Sequence, residues 1–381
     1  MTSPSKPRPE ADPPQRVSTL ELFFDLVFVF TITQLTSTLA QDVTFAAAGR
    51  VLLVFGVLWW MYGGYAWLTN ERTPTQTPER LLLLVGMAGF LVIGLSITHA
   101  FGAAGANGRD GLALGLGYLV VVGVHSVLYL RVNQNIRRIL PFNLVSAVLV
   151  IIAGLSSAPL AYVLWGAALA VQVAAPLGGG LDRRFNIHAA HFVERHGALM
   201  IVAFGESVAD VGIGAEGHPV TFSLALSAAL GLALSAALWW AFFGTGDDDR
   251  AEESLTDADQ DKRTWLAIAA YFYAYIPMLL GIAATAAGLR NAIGHPGGVL
   301  ATGPAVALAG GVTLFLAGDT WFRHVLSLGT PRYRALAAVA ALVAWPVSVS
   351  VAAGAGIALL TLVVAAALAL EGRAGHATVE A

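Results

Sequence analysis

Residues 18–39 have the sequence STLELFFDLVFVFTITQLTSTL. This stretch is long and apolar enough to cross the roughly 30 Å hydrocarbon core of a bilayer, which needs about 20 residues of helix. It also carries two acids, Glu21 and Asp25, which stand four residues apart and therefore share one face of a helix. The stretch predicts a membrane-spanning helix with a polar face.

The composition of the whole chain indicates the same class. Of its 381 residues, 57% are hydrophobic and 12% are charged, against about 25% charged in an ordinary soluble domain. The formal net charge is −3 and no basic stripe occurs, so we expect no nucleic-acid partner. The chain has no cysteine, which excludes disulfides, thiolate metal sites and a catalytic thiol.

Apolar segments of membrane length follow one another along the chain and predict an all-α polytopic membrane protein of about twelve helices. The expected spans are 18–39, 43–68, 79–101, 111–131, 138–154, 158–176, 190–212, 220–243, 263–289, 303–322, 333–352 and 355–370. Turn-forming and acidic stretches separate them, among them residues 247–249, Asp-Asp-Asp. The pair 138–154 and 158–176 is short and closely spaced, so two spans and a re-entrant hairpin both remain open.

Basic residues predict the orientation, because Lys and Arg accumulate in cytoplasmic loops. If the N-terminus lies inside, 18 of the 21 Lys and Arg residues fall in inside segments, and three fall outside: Arg50, Arg109 and Arg290. This asymmetry predicts an even number of spans with both termini cytoplasmic.

An internal repeat predicts two parallel six-helix halves. Glu21 and Glu194 stand near the start of one helix each, and Leu58-Trp59-Trp60 matches Leu238-Trp239-Trp240 in the helix that follows. We therefore divide the chain into a disordered cytoplasmic tail (1–17), a first repeat (18–176), a linker (177–189), a second repeat (190–370) and a second tail (371–381). Chance similarity between apolar helices is the alternative.

Ionisable residues inside the membrane are the main functional indicators, because burial there costs at least about 2.5 kcal/mol each. Glu21 and Asp25 would repel unless a proton, a cation or an Arg lies between them. One interpretation is a helix that lines an ion path. The other is that Glu21 caps the helix start and Asp25 pairs with a neighbouring Arg.

The seventh predicted helix carries a second polar group. His191 and Arg195 share a face near its start, with Glu194 beside them, and Glu206 lies at least halfway along. An interhelical ion-pair network, a proton or ion relay, and a metal site are all compatible with these residues. The zincin spacing is absent, so we expect no metal. Secondary candidates for a relay are His191, His99, His125 and Asp319, the last expected to pair locally with Arg323.

Two segments resemble the bacterial low-temperature-requirement A family. They are Glu21–Phe30 with Thr33–Leu35, and His191–Arg195 continuing to Gly205–Val208. The resemblance extends over about residues 16–370. It implies a multi-pass protein of the bacterial cytoplasmic (inner) membrane and lends weight to the acids and the Arg in these motifs, but it implies no reaction.

Three functions follow as hypotheses. The first is a secondary transporter or channel-like permease for an ion or small solute, using a proton or cation at Asp25 and Glu206 with Arg195 as the counter-charge. The second is an intramembrane enzyme that acts on a lipid or apolar substrate through His191 and Glu194. The third is a non-catalytic membrane stress or adaptor protein.

No phosphate-binding loop or nucleophile elbow occurs, and we expect no cofactor. The lipid bilayer is the expected surrounding, and the oligomeric state stays open.

Overall fold

The computed structural model describes residues 16–100, 108–133, 136–157, 159–179, 187–244 and 246–379, without the side chains of 98–100, 108, 176–179 and 375–379. These residues form helices joined by short connections. The helices are α1 (Thr19–Gln41), α2 (Phe45–Glu71), α3 (Thr77–Ala100), α4 (Gly108–Leu130), α5 (Ile136–Gly154), α6 (Leu160–Gly179), α7 (Ala189–Ala215), α8 (Phe222–Phe243), α9 (Asp247–Asp257), α10 (Gln260–Leu266), the π-helical segment Ala267–Ala274, α11 (Tyr275–Ile293), α12 (Thr302–Leu326), α13 (Arg332–Ala341), α14 (Ala344–Ser350) and α15 (Ala353–Val379).

The all-helical membrane fold is confirmed. Eleven helical stretches within the described residues are long and apolar enough to cross a membrane, and the segment Leu160–Ala175 of α6 is a shorter apolar helix. The helices follow the predicted spans closely. For example, the span expected at 190–212 is Ala189–Ala215. Because apolar length alone determines a span, these positions follow directly from the sequence.

Three local details differ from the prediction. The acidic run at 247–249 was expected to be a break, but it forms the first turn of α9, where acids favour the positive end of the helix dipole. The span at 263–289 contains the π-helical segment, which ends three residues before Pro277. The span at 333–352 is interrupted between α13 and α14, upstream of Pro346. A proline removes a backbone hydrogen bond on its N-terminal side, which explains the last two irregularities.

Corresponding helices of the two chain halves pack in the same pairs. In the first half α1 packs on α3, α3 on α4, and α4 on α5; in the second half α7 packs on α11, α11 on α12, and α12 on α13. Close approach uses glycine in both halves. A β-carbon at Gly89 would lie 2.9 Å from the carbonyl oxygen of Gly117, and one at Gly281 would lie 2.7 Å from that of Gly311. This agreement is compatible with two repeats, which stay a prediction.

The two halves meet along α1 and α7, which run in the same direction. The start of α1 contacts the start of α7, and Asn291 at the end of α11 donates to the carbonyl of Ala40 at the end of α1. We call the end of the bundle where α1 begins the proximal end and the opposite one the distal end. One face of α1 is exposed and apolar, through Leu22, Phe23 and Leu26. Its opposite face carries the two acids into the bundle.

Candidate functional site

Glu21 and Asp25 are both fully buried at the proximal end of α1. The start of α1 positions Glu21 through a capping box with Ser18. The backbone N–H of Ser18 donates to Glu21 Oε2 at 2.9 Å, and its hydroxyl donates to the same oxygen at 2.7 Å. The expected capping role of Glu21 is therefore present. The same carboxylate also reaches across to α7.

His191 and Arg195 of α7 face these acids, as their spacing predicted. His191 Nε2 lies 3.2 Å from Glu21 Oε1, and Arg195 Nη1 lies 3.1 Å from the same oxygen. The second guanidinium nitrogen, Nη2, lies 3.3 Å from Asp25 Oδ1. Arg195 is 1% exposed. One guanidinium thus bridges both carboxylates inside the bundle.

Helix α2 completes this group with residues that the sequence did not single out. Tyr62 donates its hydroxyl to Asp25 Oδ1 at 2.9 Å, Thr69 accepts from Arg195, and Asn70 contacts His191. Thr69 and Asn70 are polar residues in the last turns of an apolar helix. This position is the sequence signal that could have identified them as members of the site. We call these seven residues the α1–α7 network: Glu21, Asp25, Tyr62, Thr69, Asn70, His191 and Arg195.

Asn70 links the ring of His191 to the backbone of His188. Its Oδ1 accepts the backbone N–H of His188 at 3.0 Å, and its Nδ2 donates to the carbonyl of His188 at 3.1 Å. The amide is therefore oriented by two backbone groups, and its Nδ2, a donor, lies 3.1 Å from His191 Nδ1. The amide donor of Asn70 thus faces Nδ1, and Nε2 is the ring nitrogen that faces Glu21.

Apart from the imidazole of His191, the network contains two carboxylates against one guanidinium. Asp25 Oδ2 is buried and has no hydrogen-bond partner within the described part of the chain. An unbalanced, unpaired carboxylate oxygen is costly in a low-dielectric surrounding. One proton or one monovalent cation at this oxygen restores neutrality.

A second polar group lies at the distal end of the same helix pair. Asp210 of α7 lies 3.9 Å from Arg290 of α11, and Arg290 donates to Ser37 of α1 at 3.2 Å. Glu206 is half-buried, lies beside Thr33 and Arg290, and has an unpartnered Oε1 among the described residues. Glu206 thus has polar neighbours from two other helices.

Other candidates lie elsewhere. Glu194 is exposed and accepts the backbone N–H of Val17 at 3.1 Å, so it lies apart from the α1–α7 network. His125 is buried on α4 against the rings of Tyr65 and Tyr129. His99 falls in α3, but its side chain lies outside the described residues.

Asp319 belongs to a second charged group, which we call the second-half charge cluster: Asp247, Arg250, Asp319, Arg323, Arg334 and Glu371. Asp319 pairs with Arg334 of α13 at 2.7 Å, and Arg323 pairs with Asp247 and Glu371. The expectation of a local Asp319–Arg323 pair thus misses the main partners, which come from other helices. Among the residues the structure describes, no group of three or more His, Asp or Glu side chains is placed to hold a metal ion.

A bundle of membrane-length helices with buried charge groups between them defines a polytopic membrane protein. The chain belongs to the family of the bacterial low temperature requirement A protein (LtrA), whose family model matches residues 16–370. It is similar to a protein of Rhizobium meliloti (strain 1021) described as uncharacterized, with 28% identity over 340 residues, which are 85% of this chain and 81% of that protein. The predicted family is confirmed.

Proposed function

We propose that this protein is a secondary transporter or channel-like permease that binds one proton or monovalent cation at Asp25. The observation that supports this function is the charge deficit of the α1–α7 network. Two buried carboxylates share one guanidinium, and Asp25 Oδ2 is unpartnered within the described residues. A site of this composition takes up and releases one positive charge without rearranging its hydrogen bonds to Tyr62 and Arg195.

Glu206 is the distal acid of the same route. Arg195 and Glu206 are eleven residues apart on α7, which corresponds to about 16 Å along the helix. Apolar side chains fill the interval, with Phe28 and Ile32 buried on α1 and Leu199 and Ala203 buried on α7. Two acidic groups separated by an apolar barrier resemble the two ends of an alternating-access path, in which one half of the molecule moves against the other.

The location of the protein and its orientation in the membrane are part of the proposal. We infer a location in the bacterial cytoplasmic membrane with both termini cytoplasmic, from the distribution of 18 basic residues against three. The α1–α7 network then lies near the cytoplasmic face and Glu206 nearer the outside. Parallel α1 and α7 at the contact between the halves support the two-repeat arrangement.

The enzyme alternative receives little support from this geometry. It requires His191 and Glu194 to converge as an acid–base pair. His191 is fully buried against Glu21 and Asn70, whereas Glu194 is exposed and turned toward Val17. The adaptor alternative stays a hypothesis.

Ion flux in proteoliposomes tests the proposal. Purified protein is reconstituted with a pH-sensitive dye inside, and proton, Na⁺ and K⁺ gradients are applied in turn. We expect flux in the wild type and its loss in Asp25→Asn and in Glu206→Gln, because a neutral amide cannot exchange a proton or hold a cation.

Glu194→Gln is the matched control, since it neutralises an exposed acid on the same helix as Glu206. We expect its flux to equal that of the wild type. Folding of each variant is checked by size-exclusion chromatography. Flux that persists in correctly folded Asp25→Asn and Glu206→Gln would contradict the proposal.

A further inference from the structure

A cavity of about 170 Å³ lies between the two halves, away from the α1–α7 network. Helices α2, α4 and α5 of the first half and the π-helical segment of the second half enclose it. Most of its walls are apolar or aromatic, with two polar side chains. The lining residues used below are Trp60, Gly64, His125, Asn143, Phe272 and Tyr273.

The two polar side chains in the wall are unsatisfied. His125 is 3% exposed and Asn143 is 2% exposed. Neither ring nitrogen of His125, nor Oδ1 of Asn143, has a hydrogen-bond partner among the residues described. The backbone of Gly64 lies close to the imidazole, but it does not reach hydrogen-bond geometry with either ring nitrogen. Gly64 has no side chain to cover Nε2 of His125. A β-carbon at Gly64 would lie 2.9 Å from this nitrogen.

Buried polar groups in proteins are almost always hydrogen-bonded, and an unmet one costs about 1–3 kcal/mol. Two such groups on one cavity wall indicate a missing partner. A neutral imidazole offers one donor and one acceptor, and the Asn143 oxygen offers an acceptor. A hydroxyl group fits this set, because it accepts from the imidazole N–H and donates to the amide oxygen.

We propose that this cavity binds a single-ring phenol dissolved in the bilayer, with its hydroxyl held by His125 and Asn143. The size fits, since an apolar cavity of about 150 Å³ is large enough to bind benzene. Trp60 and Phe272 supply aromatic walls, against which a ring packs edge to face or offset-stacked. Tyr273 is 38% exposed on a membrane-spanning stretch, so the cavity wall extends to the surface that faces lipid. This site does not depend on the transport function proposed above.

Fluorine NMR of two matched probes tests the site in nanodiscs. The probes are 4-fluorophenol and 4-fluorotoluene, which differ by a hydroxyl in place of a methyl group. Empty nanodiscs measure partitioning into lipid, and the protein-dependent change in line width measures binding. We expect the phenol to bind at least about tenfold more tightly than the toluene, because the toluene leaves both polar groups unpaired.

Two variants remove the polar partners while keeping the side-chain volume similar: His125→Phe and Asn143→Leu. Each should reduce phenol binding toward the level of toluene binding, and His324→Phe, an exposed control on α12, should leave it unchanged. Equal affinity of the wild type for the two probes would overturn the proposal. The cavity would then be an apolar one that does not recognise a hydroxyl group. That comparison needs no variant, so it stands even if one of them fails to fold.

Discussion

The α1–α7 network and the second-half charge cluster both lie at the proximal end of the bundle and are buried except at the edge of the cluster, where Arg250 is exposed. Their charges balance differently. In the second-half charge cluster three carboxylates meet three guanidinium groups, and Arg334 alone contacts Asp247, Asp319 and Glu371. In the α1–α7 network two carboxylates meet one guanidinium and the imidazole of His191, and Asp25 Oδ2 has no hydrogen-bond partner among the described residues.

Under the proposed function, the second-half charge cluster has a structural role and the α1–α7 network exchanges a proton or cation. Buried ions require partners, and a fully paired set is stable because each charge replaces the water that it lost. A set that lacks one positive charge reaches neutrality only by taking one from the solvent. Burial of charged residues in a membrane helix is therefore a weaker functional indicator than an incomplete charge balance.

The largest effect is expected from Arg334→Met in the second-half charge cluster. This change leaves the buried Asp319 without Arg334, whereas Glu371 keeps its pair with Arg323. Removal of one member of a buried ion pair costs about 3–5 kcal/mol. Unfolding monitored by circular dichroism in detergent measures the loss. Arg332→Met, two residues away and exposed, is the control and should change stability by less than about 0.5 kcal/mol. Equal stabilities of the two variants would contradict the structural role.

A smaller effect is expected when one aspartate is replaced by asparagine, in a separate variant for each of the two groups. Asp319→Asn weakens a charged hydrogen bond to Arg334 and should cost about 1.5–3 kcal/mol, with ion flux per folded molecule retained. Asp25→Asn keeps an acceptor for Tyr62 and Arg195 and removes the excess negative charge. Its unfolding free energy should stay within about 1 kcal/mol of the wild type, while flux is lost. Chemical unfolding and flux measured on the same preparations test both expectations. The opposite pattern would exchange the roles of the two groups.

The fold was largely predictable because membrane spans depend on local composition. Apolar length located the spans, and helical spacing placed Glu21 with Asp25 and His191 with Arg195 on shared faces. The interruptions were less predictable. The acids at 247–249 indicate a break by polarity alone, although they form the first turn of α9. The π-helical segment lies upstream of Pro277, and the carbonyl of Phe272 within it accepts from Trp59 of α2 at 3.0 Å, a contact between helices that spacing does not predict.

The candidate site was predictable only in part. Its charged members could be found because charges are rare in such a chain. Tyr62 and Asn70 were missed, since an uncharged polar residue in an apolar helix is common and its partner depends on how α2 packs on α1 and α7. Spacing also grouped Glu194 with its neighbours, yet Glu194 is exposed and contacts the backbone of Val17, apart from the α1–α7 network. The unpartnered Oδ2 of Asp25 depends on how the helices pack around it, so sequence alone did not reveal it.

The smallest expected effect is the infrared signal of one protonated carboxylic acid. If a proton neutralises the α1–α7 network, one of the 24 Asp and Glu residues is a carboxylic acid and not a carboxylate at neutral pH. Infrared difference spectroscopy in deuterated and ordinary water should show one carbonyl stretch of a protonated acid. The band should disappear in Asp25→Asn and persist in Asp319→Asn. A band that weakens when Na⁺ or K⁺ is added would identify a cation that competes with the proton at Asp25. If the band is absent from the wild type under all these conditions, the proton is not the charge that completes the network, and a tightly held monovalent cation takes its place.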